Sequence, residues 1–306
     1  MFMGKASRRA RQAERRQGST VSTAAPFVAR PFEGVPGETD IVAMREIVPA
    51  ATARLRLRRD AAPLVEAAGD GEVPEFVTLA TVLPLAWPGL HRGDGEYLIG
   101  LQSGSSTGDH SRDAAHVLLE LMRTPEGQPA RPAGIAERST PRLQELVDLD
   151  APFEVEMHET FDFWIAPGRE LDAEAQASLE QTNASIVPTR RLSSIESAYW
   201  CRVGERTHLR WLLPQNEDEA TNALARLVAA GDVSLGPDTR LLGAFRACGL
   251  LAPVWDLDPA LEADDYEDAA AAVARRFAEA LAVDTPLNAD ERRARSGLLG
   301  RQLTLR

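Results

Sequence analysis

From Ala51 to Arg58 small or apolar residues (Ala51, Ala53, Leu55, Leu57) alternate with Thr52, Arg54, Arg56 and Arg58, the period of a half-buried strand. Two further β-rich runs, Phe76 to Leu83 and Glu96 to Gln102, lie either side of Gly93-Asp94-Gly95, a cluster suited to chain reversal. They are expected to pair as a hairpin through a long loop containing Trp87. Asp109 is a fitting cap for a helix over Ser111 to Met122, where Ala115, Leu118, Leu119 and Met122 share a face. The clearest alternation, Phe153, Val155, Met157, Phe161, Phe163 and Ile165, predicts one long strand.

Beyond it the pattern predicts a helix from Asp172 to Thr182, then a tight hairpin in which Ser197 to Val203 and Arg206 to Leu213 flank Gly204-Glu205. Asn216 caps a helix that Gly231 ends, and further helices are expected over Thr239 to Cys248, stopped by Gly249, over Ala260 to Leu281, and over Ala289 to Ser296. These elements predict an α+β protein, with antiparallel sheets of hairpins and helices packed on one face. A hairpin followed by a capped helix occurs at residues 76–123 and again at 197–230. That order reads either as an internal ββα duplication or as coincidence, since residue identity between the two segments is poor.

Residues 1–26 show no hydrophobic period and are expected to be a disordered basic tail, with Pro26, Pro31 and Pro36 punctuating an extended lead-in. Four prolines and two glycines between Pro125 and Pro141 mark a linker or long surface loop. The expected organisation is therefore an N-terminal α+β domain over 27–124, that linker over 125–141, and a C-terminal α+β domain over 142–306.

Composition adds exclusions. The 34 basic side chains are all arginines except Lys5, which lies in the tail, so chemistries that need a lysine held in a pocket lose their residue. Schiff-base catalysis, Walker A phosphate binding and the kinase strand lysine are among them. The net charge is −12, of which residues 1–18 contribute +5 through Lys5, Arg8, Arg9, Arg11, Arg15 and Arg16 against Glu14, so the remainder carries −17. The body repels polyanions, and contact with nucleic acid falls to the tail or to a local arginine patch. Cys201 and Cys248 make neither a disulfide framework nor a zinc site and read as buried free thiols of a reducing cytoplasm. The longest apolar stretch, Val77 to Leu90, is broken by Pro84 and Pro88, so no membrane association is expected. Ser7-Arg8-Arg9 lacks the following apolar region that an export signal requires.

Each candidate site has a plainer alternative. His158-Glu159 and Asp162 superficially match part of a zinc motif, but on a strand residues four apart cannot share one ion, so they read as exposed polar positions. Asp256, Asp258, Glu262, Asp264 and Asp265 could hold magnesium, or could simply favour the dipole of the helix that follows. The Ser103-Gly104-Ser105-Ser106-Thr107-Gly108 loop, between a strand and a helix, reads as an anion nest or as a flexible loop without the spacing of a P-loop. His91, His110, His116, His158 and His208 stand in no triad context. Arg54, Arg56, Arg58 and Arg59, with a loop pair Arg190 and Arg191, could track phosphates or be solvated surface residues. Tyr199, Trp200, Trp211, Phe245 and Trp255 read as core rather than base-stacking platforms.

Four segments together resemble an actinobacterial family of unknown function: Met3-Gly4-Lys5-Ala6-Ser7-Arg8-Arg9, Pro26 to Gly34 (PFVARPFEG), Phe245 to Leu257 (FRACGLLAPVWDL) and Gly300 to Arg306 (GRQLTLR). The resemblance spans nearly the whole chain, implies Met3 as the natural start, and carries no activity. Topoisomerase II and preprotein translocase labels attached to similar proteins have no support in these residues. Tyr97, Tyr199 and Tyr266 lack the setting of a nucleophile, and no P-loop is present.

The sequence thus points to a cytoplasmic, non-enzymatic binding or adaptor protein without a cofactor or resident metal. Lys5, Arg8, Arg9, Arg11, Arg15 and Arg16 would contact nucleic acid, the ribosome or another acidic partner. A metal-assisted hydrolase using Asp256 and Asp258, and a scaffold for a protein partner, are the alternatives.

Overall fold

A computed structural model describes residues 24–300 apart from 105, 132 and 133. The six basic residues of the N-terminal segment therefore lie outside the described residues. Among the described residues two sheets, mostly antiparallel, and eight helices make up an α+β architecture.

The first sheet has the order β5-β3-β4-β2-β1-β6, with β1 at Ala51–Arg56, β2 at Phe76–Ala80, β3 at Gly89–His91, β4 at Tyr97–Gly100, β5 at Gln128–Pro129 and β6 at Val155–Met157. β1 follows its alternation, with Ala51, Ala53 and Leu55 buried and Arg54 and Arg56 exposed. The hairpin expected between the runs at 76–83 and 96–102 is absent. β2 and β4 pair in parallel, with Thr78 opposite Leu98 and Ala80 opposite Gly100. The loop containing Trp87 supplies β3, which is the strand that Gly93-Asp94-Gly95 turns back antiparallel onto β4. This β-β-β-α segment consequently differs in topology from the simple hairpin and helix at 197–230. Residues 125–141 contribute β5, which pairs with β3, and an isolated bridge between Glu137 and Ala24.

The long strand predicted over Phe153 to Ile165 is cut to the three residues of β6. The alternation fails at Glu159, and the chain turns there into a 3-10 turn, Asp162–Trp164, whose aromatic neighbours cluster: Phe161 stacks on Trp164 at 4.6 Å between ring centroids.

The second sheet has the order β10-β11-β9-β8-β7, all antiparallel: β7 at Thr189–Arg191, β8 at Ala198–Val203, β9 at Arg206–Trp211, β10 at Arg240–Ala247 and β11 at Leu250–Leu257. The β8–β9 hairpin is as predicted. Segment Thr239 to Cys248, predicted as a helix, is strand β10. Gly249 does not end a helix but forms, with Cys248, a two-residue hairpin turn in which both have positive φ, 46° and 82°. A side chain at Gly249 would also meet Ala29 O at 2.7 Å, so the turn seats directly on the lead-in segment.

Helix α1, Glu38–Glu46, explains how the sheets are joined. Its consecutive residues Asp40 to Met44 are all buried, the mark of a helix enclosed on every side. The main core runs from α1 through Leu55, Leu79 and Leu118 to Tyr199, Phe245 and Leu250, spanning both sheets. Polar contacts reinforce it: buried Asp40 accepts hydrogen bonds from Tyr199 Oη (2.8 Å), Ser197 Oγ (2.6 Å) and Arg191 Nη2 (2.9 Å).

The remaining helices are α2 at Ala62–Ala68, α3 at His110–Leu121, α4 at Leu143–Leu146, α5 at Ala173–Asn183, α6 at Glu217–Ala230, α7 at Glu267–Leu281 and α8 at Ala289–Gly300. The predicted caps are in place: Asp109 accepts from Arg112 N and Asn216 from Asp218 N, and Gly231, at φ 77°, closes α6. Helices α6 and α7 build a second core with Trp200, Trp211 and Trp255.

At the start of α7, Glu267 ties down the loop after β7. Its carboxylate accepts from the amides of Ser193 and Ser194, each at 2.8 Å, and from the Ser193 hydroxyl. Partial burial pushes its pKa up, but these hydrogen bonds outweigh burial and hold it at about 2. A depressed carboxylate stabilises the fold above its unfolded value, about 4.5, and loses that contribution as the pH falls towards about 2. Urea unfolding at pH 6 and pH 3 is expected to show a smaller acid loss for Glu267→Gln than for the parent chain. Equal losses would refute this account.

Candidate functional site

The side-chain cluster most suggestive of chemistry lies where the Ser103–Gly108 loop enters α3. Helical spacing places His110, Asp113, Ala114, Val117 and Glu120 along one face of α3. That face forms one wall of a narrow cleft of about 60 Å³, which Ile99, Leu101 and Arg45 of α1 also line. That is room for a few water molecules, well short of the roughly 300 Å³ at which small-molecule pockets begin.

Ser106, His110 and Asp113 come together here, but they are not arranged as a triad. In a working triad the histidine receives the serine proton and the carboxylate orients the histidine. Instead Ser106 Oγ touches both His110 Nδ1 and Asp113 Oδ2, each at 2.9 Å, while His110 and Asp113 are 3.7 Å apart. A carboxylate only accepts, so the single serine proton points to Asp113 and His110 donates to the serine. Burial pushes the Asp113 carboxyl up, but hydrogen bonds from His110, Thr107 and Ser106 outweigh it and keep the group below the usual carboxylate range.

The same contacts settle the loop. Thr107 N donates to Asp113, and Gly108 N to Ser106 Oγ at 3.0 Å, so amides that could have cradled an external anion serve this internal network. Asp109, fully buried, also pairs with Arg112 (3.1 Å) and Arg142 (3.4 Å), fixing α3 to the start of α4. Two residues lining the cleft carry a buried polar atom without a hydrogen-bond partner: Arg45 Nε, which is still 3.1 Å from the Glu46 carboxylate, and His116 Nε2, which is sealed from solvent. Such an orphan costs roughly 1–3 kcal/mol. Sequence reasoning had His116 among five histidines but could not place it, because its position depends on α1 and β4 closing over α3.

The other candidates are scattered. Asp256, on β11, lies 3.6 Å from His208 and 3.9 Å from Arg240. Asp258 accepts from Ala260 N at 2.9 Å, and Glu262 and Asp265 cap the short 3-10 turn Ala263–Tyr266. Among the described residues no three histidine, cysteine or acidic side chains are grouped to hold a metal ion. His158 bonds Thr52 Oγ1 at 2.8 Å and packs on Phe163, and burial lowers its pKa. Burial pushes up both thiols, Cys201 and Cys248, the latter to about 12, so neither supplies a thiolate near neutrality. Cys201 is buried as predicted, whereas Cys248 is only half-buried.

The arginine stripe is largely matched. Arg56 pairs with Glu75 (3.2 Å), Arg58 with Asp60 (3.7 Å) and Arg59 with Glu72 (3.4 Å), while Arg54 lies over the Phe76 ring. Arg190 and Arg191 stand on β7, not in a loop, and pair with Glu159 and Asp40. Tyr199, Trp200, Trp211, Phe245 and Trp255 are all buried, as core residues should be. No helix among the described residues is long and apolar enough to cross a membrane.

Two mostly antiparallel sheets joined through a buried helix, with a cleft beside α3, define an α+β protein. The chain belongs to the family of unknown function DUF5926, whose model matches residues 31–306. No curated protein and no solved structure matches it.

Proposed function

We propose that this protein is a non-enzymatic binding or adaptor protein that docks to a polyanion, nucleic acid or the ribosome, through Lys5, Arg8, Arg9, Arg11, Arg15 and Arg16. The observation carrying this reading is the pairing of Arg56, Arg58 and Arg59 with Glu75, Asp60 and Glu72, which offsets the positive field of that stripe. The +5 charge of residues 1–18 is covalently joined to a remainder of −17, which disfavours polyanion contact elsewhere. A cytoplasmic setting is part of the proposal.

Binding of single-stranded and duplex RNA and DNA, measured between 50 and 200 mM salt, tests it. Up to six phosphate contacts would lower affinity on the order of 10³-fold over that range. Deleting residues 1–18 is expected to abolish both the affinity and its salt dependence. Unchanged binding after the deletion, or no binding by either form, rejects the reading.

A further inference from the structure

A second cleft lies between the margins of the two sheets. β6 ends the first sheet and β7 the second, and the segment Ile186–Pro188 after α5 lines the space of about 340 Å³ beside them. Unlike the cleft beside α3, this one reaches the lower end of the range of small-molecule sites.

On the β7–β8 wall, Arg190 and Trp200 are directly opposite in register and Arg202 follows two residues after Trp200, so the three side chains share one face. Trp200 is 2% exposed, and its indole Nε1 is sealed from solvent with no acceptor. Other tryptophans satisfy this group: Trp164 donates to Val82 O (2.9 Å), Trp211 to Glu196 O (3.1 Å) and Trp255 to Val233 O (2.9 Å). A buried indole N–H normally finds a partner, so the exception points to an acceptor that the chain itself does not supply. Nearby, Asn183 accepts from Phe161 N with its side-chain oxygen, which leaves its NH2 group as a further donor lining the cleft.

Arg190 is held loosely and Arg202 more firmly, since Arg202 Nη2 also donates to Pro259 O at 3.3 Å. Arg190 is 3.7 Å from Glu159, with the two side chains 70% and 90% exposed, and Arg202 pairs at 2.8 Å with Glu262, itself 62% exposed. Ion pairs this open to water are weak and readily exchanged. The Arg202 guanidinium also lies over the Trp200 ring, 5.0 Å from its centroid, so a ligand that draws Arg202 off the ring gains access to the indole.

We propose that this cleft binds a small metabolite bearing an oxyanion, phosphate or carboxylate, clamped by Arg190 and Arg202 with Trp200 N–H and Asn183 as neutral donors. Met157, Ile186 and Val187 offer an apolar surface to the rest of the molecule.

The test titrates the full chain with inorganic phosphate, glucose 6-phosphate, succinate and citrate, followed by calorimetry and tryptophan fluorescence. The phosphate-bearing and carboxylate-bearing arms distinguish the two oxyanions. Saturable binding by at least one probe is expected, weakened at least tenfold in Arg190→Gln/Arg202→Gln and in Trp200→Phe. The arginine pair sits at the cleft rim, so its variant keeps the fold even should Trp200→Phe perturb it; melting curves check both. Binding is also expected to persist after deletion of residues 1–18. No saturable binding by any probe, equal binding by the folded arginine variant, or loss of binding on that deletion overturns the proposal.

Discussion

Asp40→Ala is expected to destabilise the protein by about 3 kcal/mol, a large share of the 5–15 kcal/mol that holds a typical domain together. The carboxylate is 8% exposed on the enclosed helix α1 and receives three donors from the second sheet, Tyr199, Ser197 and Arg191. Removing it leaves the Tyr199 hydroxyl buried without its acceptor and the guanidinium without its counter-charge, while Ser197 Oγ keeps Thr39 Oγ1 at 2.7 Å and Arg191, partly exposed, recovers some hydration. Asp40→Asn keeps an acceptor oxygen and should cost about 1–2 kcal/mol less than alanine. Urea unfolding gives the numbers, and a double-mutant cycle with Tyr199→Phe isolates the pair. A loss below about 1 kcal/mol for Asp40→Ala, or zero coupling to Tyr199, would show that the network does not hold the sheets together.

Trp255→Ala should cost as much or more, about 3–5 kcal/mol. Trp255 is 1% exposed on β11, between Leu241 of β10 and Leu209 of β9, and its indole donates to Val233 O at 2.9 Å. Truncation opens a cavity in the second core and strands a carbonyl. Trp255→Phe retains most of the apolar volume and is expected to lose less than half as much. Chemical unfolding followed by circular dichroism, which does not depend on the deleted fluorophore, checks the order; equal losses for the two variants would contradict it.

The features legible in the sequence were those fixed by neighbours along the chain. Asp109 and Asn216 cap helices by reaching amides two or three residues ahead, and Gly204-Glu205 turns β8 onto β9, so local chemistry sufficed. Helix α1 was hidden because burial on all sides erases the period that marks an amphipathic helix: Ile41, Val42, Ala43 and Met44 are a continuous apolar run. Segment 239–248 followed a different course. Leu241, Leu242, Ala244, Phe245 and Ala247 suit either a helix or a strand, and the glycine taken as a helix stop serves equally well in a hairpin turn. The parallel pairing of β2 with β4 depends on the three residues of β3 inserting beside them, which no pattern within either strand encodes. Both clefts share that limit. Ser106, His110 and Asp113 are sequence neighbours and could be read together, whereas His158, Asn183, Arg190 and Trp200 meet only once two sheets have been placed side by side.

The outermost strands are short, two residues in β5 and three each in β6 and β7, and the eight-residue β10 carries a register shift between Leu241 and Gly243. An unpaired margin is a template on which another chain can zipper, and these margins are either too brief or too irregular to serve as one. The exposed charges on them, Glu156 on β6 and Arg190 and Arg191 on β7, add a second barrier to pairing with another chain.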